Sequence, residues 1–351
     1  MKIKLITKKG LVRIGILLIV LLAAGVVLVR IMFRMPGKSF AGTPAPFSAE
    51  EESMRAHLEA HVQKLAQEIG ERNYFLPDKL EAAAAYVESE LRSIGLTAGA
   101  DKGDRFNISG LQLKDDKLEC RNVCAELPGT DAAAPLVVVG AHYDSVRGSP
   151  GANDNGTGVA VLLEVARALK GRSFPRTVRF VAFANEEPPF FKTQHMGSLV
   201  HAKACKTRGE RIHAMISLET LGCYTSARRS QRYPPPLGLL YPDQGNFVGF
   251  VGNLSGQALV KDAIRVFRDT AQIPSEGAAT LGWIPGVDWS DHWSFWKQGY
   301  PAFMVTDTAV FRYPEYHTRK DTVDQIDFAS LTRVTSGITR VVAHLASGAG
   351  R

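Results

Sequence analysis

The chain has few cysteines, and none of them belongs to a motif that binds a metal. Four cysteines occur among 351 residues, with no C-x-x-C pair and no cluster of cysteine with histidine. Metal binding through thiolates is therefore not expected. Cys120 and Cys124 lie in LECRNVCAEL, which is expected to be one strand, and that spacing sets them about 13 Å apart, too far for a disulfide. Cys205 and Cys223 fit either a pair or two buried thiols.

The chain also lacks a serine-nucleophile elbow, an internal repeat and a basic surface that would suit nucleic acid. No G-x-S-x-G sequence is present, which argues against a serine hydrolase. The formal net charge is +7, but residues 1–38 hold eight basic residues and no acid, so the rest of the chain sums to −1. A nucleic-acid footprint needs cations clustered on a folded face. We expect no nucleic-acid partner.

One long apolar run is present, and it lies near the N-terminus. We predict a short basic cytoplasmic end at 1–10 and a transmembrane signal-anchor helix at 11–33, since about 20 apolar residues cross a bilayer. With the lysine-rich end inside, the single-pass protein would be membrane-anchored, with its catalytic domain periplasmic or extracellular. The alternative is a cleaved signal peptide. VRIMFR after the run is a poor cleavage site, although AGTPA at 41–45 keeps that alternative open.

The rest of the chain divides into a linker and one domain. Residues 34–50 are rich in proline, glycine, serine and alanine and are predicted to be a flexible linker, and 51–348 to be the folded domain. Ser48 and Glu51 fit a capping box at the start of a helix. The apolar runs PLVVVGAHYD, TVRFVAFAN, AMISLET and PAFMVTD alternate with helical patterns. This predicts an α/β fold, a three-layer α/β/α sandwich with a mixed, mostly parallel central sheet.

Histidines and acids follow the ends of several of these predicted strands. Open α/β sheets place their ligand crevices at the carboxyl ends of the strands, so we expect these side chains to gather in one crevice. Two imidazoles and several carboxylates suit a divalent ion in an open catalytic site, or two ions if a carboxylate bridges them. The side chains stand in GAHYDS, GANDNGTG, FANEEP, ISLETLG and YHT: His142, Asp144, Asp154, Glu186, Glu187, Glu219 and His317.

Each of these residues also has a plainer interpretation. Asp154 lies before an apolar helix and could be a helix cap. Glu186 and Glu187 end a buried strand, where adjacent carboxylates repel unless a cation compensates them. An isolated loop histidine such as His317 is more often structural than functional. The metal interpretation therefore depends on the set and its order.

In chain order the set resembles the zinc aminopeptidases of peptidase family M28. The order is H-x-D, D-N-x-x-G, E-E, an acid after an apolar strand, and Y-H-T, and the resemblance covers roughly residues 50–345. MGS at 196–198, SDHWSFW at 290–296 and the HTxxDT run at 317–322 add to it. The combined pattern is far more specific than any of its parts.

The resemblance implies two zinc ions and assigns their ligands. Asp154 would bridge the two ions. His142 and Glu219 would complete one ligand set, and Glu187 and His317 the other. Well-known members of the family carry aspartate where this chain has Glu219.

The resemblance also implies roles around the metals. Asp144 would orient His142, and Glu186 would be the general base that takes a proton from the metal-bridging water and passes it to the leaving amine. Asp291, His292 and Tyr316 are assigned to the surroundings of the metals or to the substrate pocket. The segment PPFFKTQHMGS after Glu187 is longer than the family's compact turn, so specificity does not carry over.

The function implied is that of a membrane-anchored, zinc-dependent aminopeptidase that releases N-terminal residues from peptides. Its partners would be peptides with a free N-terminus and, through the helix, the membrane. One alternative is a glutaminyl-cyclase-like aminoacyltransferase, a related enzyme with a single zinc. Another is a non-catalytic binding protein with the same fold, since fold alone does not fix function.

Overall fold

The computed structural model describes residues 8–99, 104–109 and 117–348. Most of the predicted basic end, residues 1–7, lies outside these ranges. The first element is helix α1 (Lys8–Phe33), whose apolar side chains are largely exposed until Met32 near its end. Within α1, Val12–Phe33 is long and apolar enough to cross a membrane. A signal sequence near the N-terminus would meet the same criteria of length and apolar composition.

Two amphipathic helices open the domain. Helix α2 (Ala49–Val62) begins with the predicted capping box: Ser48 accepts the amide of Glu51, and the Glu51 side chain accepts the amide of Ser48. A wider π-helical turn, Gln63–Ile69, continues α2 and ends at Gly70. Helix α3 (Pro77–Ser93) starts with proline, which is favourable in the first helical turn.

The remaining strands and helices alternate along most of the chain. The strands are β1 (Ala98–Gly99), β2 (Arg105–Ser109), β3 (Lys117–Arg121), β4 (Val123–Leu127), β5 (Leu136–His142), β6 (Val178–Phe183), β7 (Ile212–Glu219), β8 (Val248–Asn253), β9 (Ser275–Thr280) and β10 (Ala302–Thr306). The helices are α4 (Gly158–Leu169), α5 (Gly197–Thr207), α6 (Gln257–Thr270), α7 (His292–Lys297) and α8 (Phe328–Ser347).

Eight strands form one sheet in the order β1-β4-β6-β5-β7-β10-β8-β9, and β2 pairs with β3 separately. The four central strands, β6, β5, β7 and β10, run parallel. Strand β9 is parallel to β8, whereas β1, β4 and β8 have antiparallel partners. The predicted mixed, mostly parallel sheet is therefore confirmed.

Helices cover both faces of the sheet. Helices α2, α4, α6 and α8 pack together over one face, with α3 against α4. Helices α5 and α7 pack on the other face over a smaller apolar cluster that includes Val138, Phe183 and Phe295. The predicted three-layer α/β/α sandwich is confirmed. Burying β5 and β6 on both faces explains why their sequences are nearly continuous apolar runs.

The expectation of one strand through LECRNVCAEL is wrong. The segment divides at Asn122 into β3 and β4, which belong to different sheets. The Asn122 side chain donates to Asp104 and to the carbonyl of Gly197, and it accepts the amide of Ala184. These bonds draw the backbone at Asn122 out of a single straight strand. None of the four cysteines forms a disulfide.

We predict that Gly337→Ala destabilises the fold, because α6 and α8 approach closely there. A Cβ at Gly337 would clash with the ring of Phe267 and lie 2.9 Å from the Cβ of Ala271. Alanine gains about 1 kcal/mol in helix propensity, whereas overpacking a core costs about 1–3 kcal/mol. Chemical unfolding should show a net loss of stability, whereas the exposed control Arg340→Ala on the same helix should change it little. A more stable Gly337→Ala protein would contradict the close packing.

Candidate metal centre

The sheet brings the seven candidate side chains to one edge, where the four central parallel strands end. His142 and Glu219 are the last residues of β5 and β7. Glu186 and Glu187 follow β6, and His317 lies in the loop after β10. Asp154 and Asp144 lie between β5 and α4, Asp154 in the buried segment Ala152–Thr157. The carboxyl ends of parallel strands thus form the crevice that the sequence predicted.

Asp154 lies between two histidines and contributes to two overlapping sets of possible metal ligands. In the first set, Nε2 of His142 is 3.3 Å from Asp154 Oδ1 and 3.4 Å from Glu219 Oε2. In the second, Nε2 of His317 is 3.1 Å from Asp154 Oδ2 and 3.2 Å from Glu187 Oε2. Each set brings three ligand atoms close enough to hold one ion. The two sets share only Asp154.

The polar atoms of these sets fit a cation better than they fit one another. Nε2 of His142, Nε2 of His317, Oδ2 of Asp154 and Oε1 of Glu187 are buried and have no hydrogen-bond partner among the described residues. Such orphaned buried atoms are rare unless an ion or water satisfies them. Imidazole nitrogens and carboxylate oxygens are both zinc ligands, and three protein ligands per ion is the number that catalytic zinc sites use.

The two histidines and their acids change one another's protonation. Burial opposes the charged forms, but the neighbouring carboxylates raise the pKa of His142 well above its usual value and that of His317 to about 10. Burial would likewise raise the pKa of Asp154, but the two imidazoles lower it below its usual value. Burial and the charge of Asp154 raise the pKa of Glu187 to about 7. Of the three acids in the two ligand sets, only Asp154 has a lowered pKa.

Asp144 holds the two glutamates in place through the backbone. Its Oδ1 and Oδ2 accept the amide hydrogens of Glu186 and Glu187, each at 3.1 Å. Nδ1 of His142 is 3.2 Å from the main-chain carbonyl of Asp144 and 3.5 Å from its carboxylate. The hydrogen-bond partner of the imidazole is therefore the carbonyl. The proposed orienting role of the Asp144 carboxylate stays a prediction.

Glu186 belongs to neither ligand set, although it faces the crevice. Its Oε2 is 3.9 Å from Nε2 of His142. Burial, together with the charges of Glu219 and Glu187, raises the pKa of Glu186 well above the usual value for a glutamate. A buried carboxylate with an elevated pKa beside possible metal ligands can exchange protons near neutral pH.

Two supporting residues lie in motifs that the sequence singled out without giving these residues a role. Asp321, in the HTxxDT run, accepts the amides of Asn153 at 2.7 Å and Asp154 at 3.1 Å. Ser290, in SDHWSFW, donates to Oε2 of Glu219 at 2.8 Å. These bonds fix the positions of two candidate ligands, Asp154 and Glu219. Hydrogen bonds to metal ligands from surrounding residues strongly affect metal affinity.

Arg72 is a further residue that sequence reasoning missed. Its guanidinium is fully buried and donates to the carbonyls of Tyr143, Pro150 and Gly151 at 2.6 to 2.8 Å. Burial lowers its pKa to about 10, so Arg72 stays cationic at neutral pH. It supplies positive charge behind the acids and braces the loop that leads to Asp154. Nothing in ERNY, the local sequence, distinguishes Arg72 from a surface arginine.

The three residues assigned to the surroundings take different positions. Tyr316 stacks on the ring of His317 at a centroid distance of 3.9 Å and lines the adjacent cleft. Asp291 is fully buried, and burial raises its pKa to about 7. His292 shares a hydrogen bond with the carbonyl of Val287 at 2.8 Å, and burial lowers its pKa to about 4. His292 therefore supports a cleft wall and belongs to neither ligand set.

A mostly apolar cleft with a cavity volume of about 120 Å³ begins at Glu219 and Tyr316. One wall comes from β8, β9 and β10, and another from the proline-containing segment 233–241. Rings of Tyr233, Tyr241 and Phe311 line it, and Glu276 adds a single further carboxylate to the lining. This lining suits an apolar side chain of a substrate.

Comparison with known proteins places this geometry in a family. The sequence model described as peptidase family M28 matches residues 122–342. The uncharacterized protein YfbL of Escherichia coli (strain K12) is 35% identical over 319 residues, which cover 88% of this chain and 92% of that protein. The chain therefore belongs to peptidase family M28.

Proteins of lower sequence identity also resemble this chain. A protein named leucine aminopeptidase 1, from Arthroderma otae, is 25% identical over 78% of this chain and 69% of its own length. The structure of BSAP, a zinc aminopeptidase from Bacillus subtilis, superposes with a TM-score of 0.66 at 17% identity, covering 88% of this chain and 98% of that one. At this identity the structural likeness shows a shared fold.

We predict that zinc raises the unfolding temperature of this protein and that Asp154→Asn removes most of the increase. A ligand that binds only the folded state stabilises it by about 2.7 kcal/mol at about a hundredfold excess over its Kd. Asp154 is common to the two ligand sets, so its loss weakens both. The control His344→Ala breaks a histidine–aspartate pair outside the site and should keep the zinc-induced shift. An equal shift in all three proteins would contradict a zinc site here.

Proposed function

We propose that this chain is a membrane-anchored, zinc-dependent aminopeptidase that binds two zinc ions and releases N-terminal residues from peptides. The observation that carries the proposal is the arrangement of Asp154 between two ligand sets, with buried Glu186 committed to neither. His142 and Glu219 complete one set with Asp154, and Glu187 and His317 the other. Relatives named as aminopeptidases support the choice of reaction.

The residues around the ligands have separate roles in hydrolysis. Zinc bound by these residues would supply a Lewis acid that lowers the pKa of water and polarises the scissile carbonyl. Glu186 accepts a proton from the attacking water and returns it to the leaving amine, a task that its raised pKa suits. Asp144 keeps Glu186 in position through the backbone amide, while Asp321 and Ser290 hold Asp154 and Glu219.

The N-terminal helix is proposed as an uncleaved anchor. In this arrangement residues 1–10 are cytoplasmic, 11–33 span the bilayer, 34–50 connect, and 51–348 form the peptidase domain outside the cytoplasm. Support comes from the exposed apolar surface of α1 and from the basic residues that precede it. Contacts between residues 31–45 and the domain also favour retention of this segment.

We predict that Glu186→Gln keeps the bound zinc but lowers kcat by about 10²–10⁴-fold, the usual contribution of a general base. Glutamine preserves the size of the side chain but cannot take up the proton. Elemental analysis and steady-state kinetics on the same preparation separate binding from turnover. The matched control is Glu68→Gln, an exposed glutamate paired with Lys64, which should leave both unchanged. Full activity of the Glu186→Gln variant would contradict the general-base role of Glu186.

Metal content also separates the proposal from the single-zinc alternative. Two zinc ions per chain at saturation, with hydrolysis of aminoacyl substrates, fit the dinuclear peptidase. One zinc ion, with cyclisation of N-terminal glutamine and no hydrolysis, would favour the glutaminyl-cyclase-like enzyme. Zinc binding without either reaction would favour a binding protein.

We predict that substrates with a bulky apolar N-terminal residue are preferred. The cleft beside Glu219 accommodates such a side chain, and the carboxylate of Glu276 in its lining disfavours an acidic one. In a panel of aminoacyl substrates with one common leaving group, leucine and phenylalanine should exceed glycine and aspartate in kcat/KM by about tenfold or more. A preference for glycine or aspartate would show that this cleft does not bind the N-terminal side chain.

A further inference from the structure

The end of the proposed anchor packs against a residue of the cleft wall. The ring of Phe33, the last residue of α1, packs edge-on against Tyr241 at a centroid distance of 6.1 Å. Tyr241 in turn stacks on Tyr233 and donates to the carbonyl of Gly277 on β9. Tyr241, Tyr233 and Gly277 all line the cleft. The C-terminal end of α1 is therefore next to the cleft.

Further hydrogen bonds join residues 31–39 to the side of the domain where β9 is the edge strand. Gln257 donates to the carbonyl of Ile31 at 2.7 Å, and Arg268 donates to that of Pro36 at 3.0 Å. Ser39 accepts the amide of Ser275 at 2.8 Å. These bonds come from α6 and β9. These contacts with α6 and β9 define the position of the domain relative to the end of α1.

The segment that contacts Phe33 has the composition of a membrane-surface segment. Residues 225–242, which we name the arginine–proline loop, contain three exposed arginines and no acid. Leu239 is 87% exposed and Leu240 47% exposed, and neither lines the cleft. Exposed leucines beside tyrosines and arginines are the side chains that settle at a bilayer surface. The arginines are Arg228, Arg229 and Arg232.

The charges at the end of the anchor have the same sign. Arg30, Arg34 and Lys38 are exposed around the last turn of α1, with no acid among residues 1–38. Residues 1–38 and the arginine–proline loop thus contain basic residues and no acid, and the exposed Asp243 directly follows the loop. Anionic headgroups attract such basic segments close to the membrane. Continuity with the anchor and this charge favour a bilayer over a partner protein as the occupant of the surface.

We propose that the arginine–proline loop docks on the bilayer surface, with Leu239 and Leu240 in the interface and the arginines among anionic headgroups. The proposal rests on the anchor of the proposed function. Since Tyr233, Pro234, Leu237 and Tyr241 of the same loop line the cleft, the cleft then opens beside the membrane. The substrates best placed to enter it are peptides whose N-termini are held at the membrane surface.

The test uses the full chain in lipid nanodiscs made of phosphatidylcholine and phosphatidylglycerol, with or without bromine in the acyl chains. Leu240→Trp adds a fluorophore to the loop. Leu76→Trp is the matched control, because Leu76 is 40% exposed and precedes α3, which packs at the β1 edge opposite β9. Brominated lipid should quench most of the emission added at position 240 and little of that added at position 76. Equal quenching at both positions would overturn the docking.

A second measurement asks whether docking affects substrate use. The double variant Leu239→Asp, Leu240→Asp should hydrolyse a lipid-tethered peptide several-fold more slowly than the parent protein, with unchanged hydrolysis of the same peptide free in solution. Equal loss on both substrates, or no loss on either, would overturn the proposed entry from the membrane.

The outcomes separate this inference from the proposed function. A parent protein that enters nanodiscs but hydrolyses neither peptide refutes the peptidase, while the quenching result still decides the docking. A chain that does not enter nanodiscs refutes the anchor and the docking together. Quenching that appears only when two chains share a nanodisc would assign the surface to a second copy and overturn docking on lipid.

Discussion

The structure depends on the burial of seven carboxylates at one edge of an apolar sheet. Unpaired buried charge is strongly unfavourable, so such a cluster persists only where cations and hydrogen bonds compensate it. Within the described residues that face it, His142, His317 and Arg72 supply the positive side chains. The raised pKa values of Glu186 and Glu187 indicate that these three side chains do not compensate all of the negative charge. The acids are Asp144, Asp154, Glu186, Glu187, Glu219, Asp291 and Asp321.

The backbone is shaped around these acids. Asp144 accepts the amides of Glu186 and Glu187 after β6, and Asp321 accepts the amides of Asn153 and Asp154. Each carboxylate thus ties together segments that are far apart in sequence. The positions of Glu186 and Asp154 follow from these bonds. Folding of the crevice and preparation of the site are consequently the same event.

The sequence predicted the central strands of the sheet better than its outer strands. Continuous apolar runs identified β5, β6, β7 and β10, and the acids that follow them were placed correctly at the carboxyl ends. Strands β8 and β9, VGFVGN and SEGAAT, were not predicted, because glycine, alanine and serine give them little strand signal. Arg72 was missed for a different reason: its burial arises from loops that meet only in the folded chain.

Composition alone also says little about residues 34–50. Proline, glycine and serine predict the absence of regular secondary structure, which is a statement about the backbone and not about contacts. In the structure Pro36 and Ser39 are held by α6 and β9, and the amide of Ala45 donates to Gln272. Since β9 is the edge strand, this segment covers backbone that would otherwise be open to pairing with another chain. The same contacts connect the proposed anchor to the cleft wall, so removing the N-terminal segment would alter the edge of the sheet and the shape of the pocket together.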